Sequence, residues 1–255
     1  MFVTTRAIGI VPARYDSARF PGKMLVPVGG KPLVQWVVER AAQATSLDAV
    51  LLATDDERIR SAAEQWGVEA VMTRGDHPSG SDRIAEAASL YDAEIIVNIQ
   101  GDEPLIDPSL INQLVECLRE NPALDMATAA VPILHTGELN DPSVVKVVTG
   151  ADDVALYFSR AVIPFNRDGT QEHGIDAGLY FRHLGIYAYR KAFLLRVVGT
   201  EPTLLEQTEK LEQLRALHLG ARMKVIKTTG MGPGVDHPDD VPKAEAALRE
   251  AGLIA

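Results

Sequence analysis

Cysteine is almost missing from this chain: Cys117 is the only one in 255 residues. One thiol cannot close an internal disulfide, and such usage suits a reducing cytoplasm. Within "LVECLRE" it falls on a helical pattern, which predicts a buried or half-buried thiol and no nucleophile. Long apolar runs are also absent, since no stretch approaches the roughly 20 residues that span a bilayer. The N-terminal "MFVTTRAIGIVPAR" has a short apolar run but no small-residue cleavage pattern, so no signal peptide is read. The P-loop motif G-x-x-x-x-G-K-[ST] is missing: Gly22-Lys23 precedes Met24, and Gly30-Lys31 precedes Pro32. That argues against P-loop ATPase chemistry. Positive charge is in short supply, with a net charge of −10. Broad nucleic-acid binding is therefore disfavoured, and membrane partners find no support either. There is no repeat, low-complexity tract or Pro/Ser-rich linker.

What is present is a composition normal for a globular chain, 46% hydrophobic and 24% charged. The first half alternates short apolar runs with helical spacing. Strands are predicted at 7–13, 49–56, 69–74 and 93–104, the last two regions ending in polar loops. Helices are predicted at 31–45, 57–67, 81–91 and 107–121, with Ser81 as N-cap of the third. Alternation of this kind implies parallel βαβ units and a sheet covered on both faces. Ligands then sit beyond the carboxyl ends of the strands. The second half is less regular. Strand-like runs cover 125–133, 143–150, 151–165, 182–190 and 223–229, and a polar loop covers 166–179. One continuous helix is predicted over 203–220, with Thr203 and Glu206 at capping-box spacing, and a closing helix over 238–252. The expected organisation is a single domain over 1–255, with halves 1–124 and 125–255.

The charge is uneven. Residues 1–31 carry five basic residues (Arg6, Arg14, Arg19, Lys23, Lys31) against the single acid Asp16, a local balance of +4. Three of these cations lie on "VPARYDSARFPGK", an irregular loop straight after the first strand. Guanidinium and ammonium groups with free backbone N–H groups are what a triphosphate needs; a plain solvated loop is the alternative. In "IQGDEP" (99–104), a carboxylate at a strand's end suits Mg²⁺, which takes one or two carboxylates plus phosphate oxygens; otherwise Asp102 or Glu103 caps the next helix. In "GPGVDHPDD" (232–240), Asp236 is a second candidate ligand, or else Asp236 and Asp239 cap the last helix. One carboxylate would then come from each half of the chain. "HPSGSDR" (77–83) offers small residues that a base can approach, or simply leads into a helix. Arg160, Arg167, His183, Tyr187, Glu212 and Gln213 are polar candidates in the second half, each with a structural reading beside it. His183 and Tyr187, four apart on a strand, should share a face.

Ten stretches in order — among them "VPARYDSARFPGK", "MTRGDHPSGSDR", "VNIQGDEP", "DPSVVKVV", "RHLGIYAYR", "LEQTEKLEQLRAL" and "GVDHPDD" — make this sequence closely similar to the 3-deoxy-manno-octulosonate cytidylyltransferases, or CMP-Kdo synthetases. The resemblance runs over almost the whole chain. It implies an α/β, Rossmann-like three-layer αβα nucleotidyltransferase fold, its sheet mostly parallel with an antiparallel elaboration in the second half. Residues 1–124 would bind nucleotide, and 125–255 would bind sugar and dimerise. It implies a cytoplasmic homodimer that makes a lipopolysaccharide precursor from CTP and Kdo with Mg²⁺, releasing pyrophosphate. By that resemblance Arg14, Arg19 and Lys23 hold the triphosphate and Asp102 and Asp236 the metal, these five being the catalytic set. Pro12, Ala13, Arg14, Lys23, Ser79, Gly80, Arg83 and Asp102 contact the nucleotide. Gln100, Arg160, His183, Tyr187, Glu212 and Gln213 line the sugar-acid pocket. Ser81 stands where the family usually has threonine, and Phe165-Asn166 where many members show Trp-Asp. These departures leave Kdo, its 8-amino analogue and other sugar acids open. A catalytically silent nucleotide-binding regulator is the reading from another class.

Overall fold

The structure is a computed structural model, and residues 6–16, 20–230 and 232–254 are described. In chain order the elements are β1 (Ala7–Ala13), β2 (Pro27–Val28), β3 (Lys31–Pro32), α1 (Leu33–Ala41), β4 (Ala49–Thr54), α2 (Glu57–Gln65), β5 (Glu69–Met72), α3 (Gly80–Ser89), β6 (Ile95–Asn98) and α4 (Pro108–Glu120). There follow β7 (Met126–Pro132), α5 (Thr136–Asn140), β8 (Lys146–Thr149), β9 (Ala155–Ser159), α6 (Gln171–Asp176), β10 (Phe181–Arg190), α7 (Lys191–Val198), α8 (Leu204–Glu209), α9 (Gln213–His218), β11 (Met223–Lys227) and α10 (Val241–Glu250). This is the expected α/β fold, with helices on both sides of a mostly parallel sheet.

The chain forms two compact units. The first runs to Glu116 and takes back the segment after Gly230; the second is Cys117–Gly230. The division therefore does not fall at 124/125. Apolar contact explains the return of the C-terminal segment: Val235, Ala244 and Leu248 are buried in one cluster with Val28, Leu33 and Trp36. Fully excluding a valine or leucine side chain such as Val235 or Leu248 from water contributes roughly 1.5–3 kcal/mol.

In the first unit β6, β1, β4 and β5 are neighbours in that order, all parallel. The strands are buried on both faces, as Ile8, Ile10, Leu51, Leu52, Ile95 and Ile96 show, and this is why their sequences read as apolar runs without alternation. Parallel pairing aligns the carboxyl ends, so the loops after β1, β4, β5 and β6 share one edge. In the second unit β7 pairs parallel with β11 and antiparallel with β10, while β8 pairs antiparallel with β10 and β9.

Three local expectations change. The helix predicted over 203–220 is two helices, because Lys210 ends α8 in a left-handed conformation at φ 55°. The capping box of Thr203 and Glu206 is present as expected. The N-cap of α3 is Ser79 and not Ser81: Ser79 Oγ accepts from the Asp82 N–H, and Ser81 is buried within the helix. Part of the loop predicted over 166–179 is the short helix α6, capped by Thr170.

Candidate active site

The carboxyl edge of the first unit gathers the polar residues. Lys23 opens a single 3₁₀ turn whose N-cap, Gly22, sits at φ 72°. The turn is pinned by Gly22 N–H to the Tyr15 carbonyl at 2.8 Å and Lys23 N–H to the Phe20 carbonyl at 3.1 Å. The Lys23 side chain, 8% exposed, donates from Nζ to Asp102 Oδ2 at 2.7 Å and to Asp236 Oδ1 at 3.3 Å. The two aspartates, one from each half of the sequence, thus both lie in the first unit. Backbone contact brings them together: the Val235 N–H donates to the Asp102 carbonyl at 2.9 Å. Glycine permits this approach. A Cβ on Gly232 would come within 2.6 Å of Leu105 Cβ, and one on Gly101 within 3.2 Å of the Pro12 carbonyl.

The capping alternatives for these aspartates fail. Asp107 accepts from the Ser109 N–H at the start of α4, and Asp240 accepts from the backbone of Asp236 and His237. Neither Asp102 nor Asp236 is needed for that work. Both carboxylates accept from the Lys23 ammonium, and such a set of hard oxygen donors suits Mg²⁺. Among the described residues no cluster of three or more His, Cys, Asp or Glu side chains could hold a metal by itself.

The second part of the edge joins the loops after β1 and β5. Arg14 Nη2 donates to the His77 carbonyl and, at 3.2 Å, to the Ser79 carbonyl. A Cβ on Gly80 would lie 3.6 Å from Pro12. Pro12, Arg14, Ser79 and Gly80 therefore meet at this edge, whereas Ala13, expected to contact nucleotide, has no exposed surface. The Ser79 hydroxyl is committed to Asp82 at 2.6 Å, so what this segment offers a base is its backbone. Arg19 lies outside the described residues.

Arg83 corrects an expectation. Placed among the nucleotide contacts, it has no exposed surface. Its Nη1 donates to Thr73 Oγ1 at 2.6 Å and its Nη2 to Asp55 Oδ2 at 2.8 Å. It ties α3 to the ends of β4 and β5 and is a positioning residue. Sequence reading missed its partners Asp55 and Thr73, and also the contact of His77 with Glu86 on α3. It missed Arg58, whose guanidinium lies 3.2 Å above the Tyr15 ring. The available signal was position, since all but Arg58 and Glu86 follow a strand in the loops of this edge.

Gln100 also belongs to the first unit, donating to Asn98 at 3.3 Å; the other five sugar-site candidates belong to the second. There His183 and Tyr187 do share a face, with ring centroids 5.3 Å apart, despite the irregular register between Leu184 and Tyr187. Phe158 packs edge-on at 4.9 Å. Burial pushes the His183 imidazole down to about 3, so it is neutral. Thr128 Oγ1, 3.0 Å from His183 Nε2, donates to the Ile186 carbonyl at 2.8 Å, which assigns the Nε2 proton to the bond with Thr128. Burial, then the charge of Glu212, raises the Tyr187 phenol far above its usual range. Glu212 stands at the N-cap of α9, followed by the buried Gln213. Arg160 is held by backbone carbonyls, Glu209 at 2.7 Å and Pro142 at 2.9 Å, and its own N–H donates to Glu209 Oε2. Arg167 is exposed, its Nε 3.7 Å from Asp168 Oδ1. Cys117 is half-buried, its thiol raised chiefly by burial, as fits an inert cysteine.

A parallel α/β edge carrying a basic loop, a backbone-lined segment and two convergent carboxylates is the arrangement expected of a nucleotidyltransferase. The cytidylyltransferase family model matches residues 8–225. The 3-deoxy-manno-octulosonate cytidylyltransferase of Syntrophotalea carbinolica is 49% identical over 94% of this chain and 97% of its own length. The 8-amino-3,8-dideoxy-manno-octulosonate cytidylyltransferase of Shewanella amazonensis is 47% identical over the same shares. Among solved structures, a CMP:2-keto-3-deoxy-manno-octonic acid synthetase complexed with CTP superposes with a TM-score of 0.91 at 40% identity, covering 97% of this chain and all of the other. The chain belongs to the cytidylyltransferase family, among the CMP-Kdo synthetases, and is an enzyme.

Proposed function

We propose that this enzyme transfers CMP from CTP to the anomeric hydroxyl of Kdo, forming CMP-Kdo and pyrophosphate as a step toward lipopolysaccharide in the cytoplasm. The observation that carries the reading is the convergence of Lys23, Asp102 and Asp236 beside the joined loops of Arg14 and Ser79. Two anionic substrates must meet for this reaction, and the local excess of positive charge offsets their repulsion.

Each residue has a role in an in-line displacement at the α-phosphorus. Arg14, Arg19 and Lys23 neutralise charge growing on the departing pyrophosphate, the main demand that phosphoryl chemistry makes on a protein. Pro12, Ser79 and Gly80 present backbone to the nucleotide. On the second unit Arg160, His183, Tyr187, Glu212 and Gln213 are assigned to the sugar acid, as Gln100 is on the first; neutral His183 serves as a hydrogen-bonding group and not as a charge. Asp102 and Asp236 would hold Mg²⁺, which when bound supplies Lewis-acid polarisation of the phosphate and a template for the substrates. The homodimer belongs to this reading through the likeness to the CMP-Kdo synthetases, and sedimentation of the full chain tests it.

The test is pyrophosphate release with CTP, Mg²⁺ and Kdo. No release with Kdo or any related sugar acid, alongside intact CTP binding, would leave the silent-regulator reading standing. The second sugar, 8-amino-Kdo, stays in the reading because the Shewanella relative named for it is 47% identical. A turnover comparison of the two sugars decides between them.

A further inference from the structure

Lys23 pairs with both aspartates, an arrangement that the proposed chemistry has to open. The Nζ is buried and pairs with both carboxylates at 2.7 and 3.3 Å, while Asp102 and Asp236 keep side-chain exposures of 25% and 53%. The ammonium is aimed by a hydrogen-bonded turn, so it does not drift away at no cost. A buried cation gives up its counter-ions only when another anion replaces them. A divalent ion arriving alone would meet the positive charge of Lys23 between its two ligands. A triphosphate changes this, because its oxygens offer Lys23 a new partner.

We infer that Lys23 is the resident counter-ion of Asp102 and Asp236, holding the pair in place and against metal until a triphosphate draws the ammonium off. The inference rests on the metal role proposed for the two aspartates. It assigns Lys23 two successive partners, carboxylates in the free enzyme and phosphate in the complex. Because such coupling is reciprocal, removing the charge at position 23 must strengthen metal binding to the nucleotide-free protein.

The experiment measures Mn²⁺ binding to the nucleotide-free full chain by the loss of the free-ion electron paramagnetic resonance signal. Lys23→Met should bind Mn²⁺ at least tenfold more tightly than wild type, and Lys23→Arg, which keeps the charge, should bind as weakly as wild type. Adding Asp102→Asn to Lys23→Met should abolish the gain, placing the ion on the pair. If Lys23→Met does not fold, Lys23→Gln serves as the neutral variant. Neutral variants that bind no more tightly than wild type, or Lys23→Arg binding as tightly as Lys23→Met, would overturn the inference. The readout needs no turnover. A wild-type enzyme inactive on every sugar acid would defeat the proposed function while leaving this result to stand or fall alone.

Discussion

Arg83 Nη2 lies 2.8 Å from Asp55 Oδ2, and the two are unequally buried: the Arg83 side chain has no exposure, whereas Asp55 keeps 22%. Removing either partner should therefore cost different amounts. Asp55→Ala leaves a fully buried guanidinium unpaired, a loss of about 3–5 kcal/mol. Arg83→Met fills the space and leaves a carboxylate that reaches water, so it should cost less. Denaturant unfolding of both variants checks the order; a larger loss for Arg83→Met would show that packing, not charge, dominates the site.

The aspartate pair predicts a sharp catalytic effect. Asp102→Asn and Asp236→Asn keep shape while halving the negative charge of the pair. If the pair holds the metal, kcat/KM for CMP transfer should fall roughly a hundredfold or more in each, several kcal/mol of transition-state stabilisation. Full activity in both variants would remove the metal assignment.

His183 sets a pH dependence of stability. Its folded value of about 3 lies below the ordinary value of 6.5. Between these limits the unfolded chain binds more protons than the folded one, so stability falls as pH falls. The contribution of neutral His183 is complete above about pH 6.5 and declines progressively toward pH 3. His183→Gln should flatten that part of the melting temperature against pH from 7 to 4.5. An unchanged slope would show that other groups carry it.

The break at Lys210 gives a conformational test. A non-glycine residue at φ 55° costs roughly 1–2 kcal/mol, so Lys210→Gly should be close to neutral once the extra freedom of the unfolded chain is offset. Lys210→Val should lose about 1–2 kcal/mol more, because a β-branched side chain tolerates this region least. Were 203–220 one continuous helix, glycine at 210 would instead be destabilising. Thermal unfolding of the two variants separates the cases.

The leucine spacing of 203–220 misled because Leu204, Leu211, Leu214 and Leu217 fit one helical period even though the backbone turns at Lys210. Leu204 is 80% exposed whereas Leu214 is buried, a difference that only packing reveals. The Ser79 and Ser81 pair misled for a related reason: both can cap, and the choice fell to the residue whose preceding loop Arg14 holds from across the edge.

Period and position were legible without coordinates. Apolar runs alternating with helical faces determined parallel βαβ units, and parallel pairing put the loops of Arg14, Ser79 and Asp102 on one edge. These are local properties, fixed by side-chain spacing and by residues within a turn of one another. Which distant partner each polar group meets is not local. Asp236 reaches Lys23 across 213 positions, while Asp240 four residues on takes the capping role. Arg83, four residues from Ser79, turned inward to Asp55 and Thr73. The tertiary structure decided these outcomes, because a buried charge goes where a counter-charge has also been buried, and only the folded chain brings the two together.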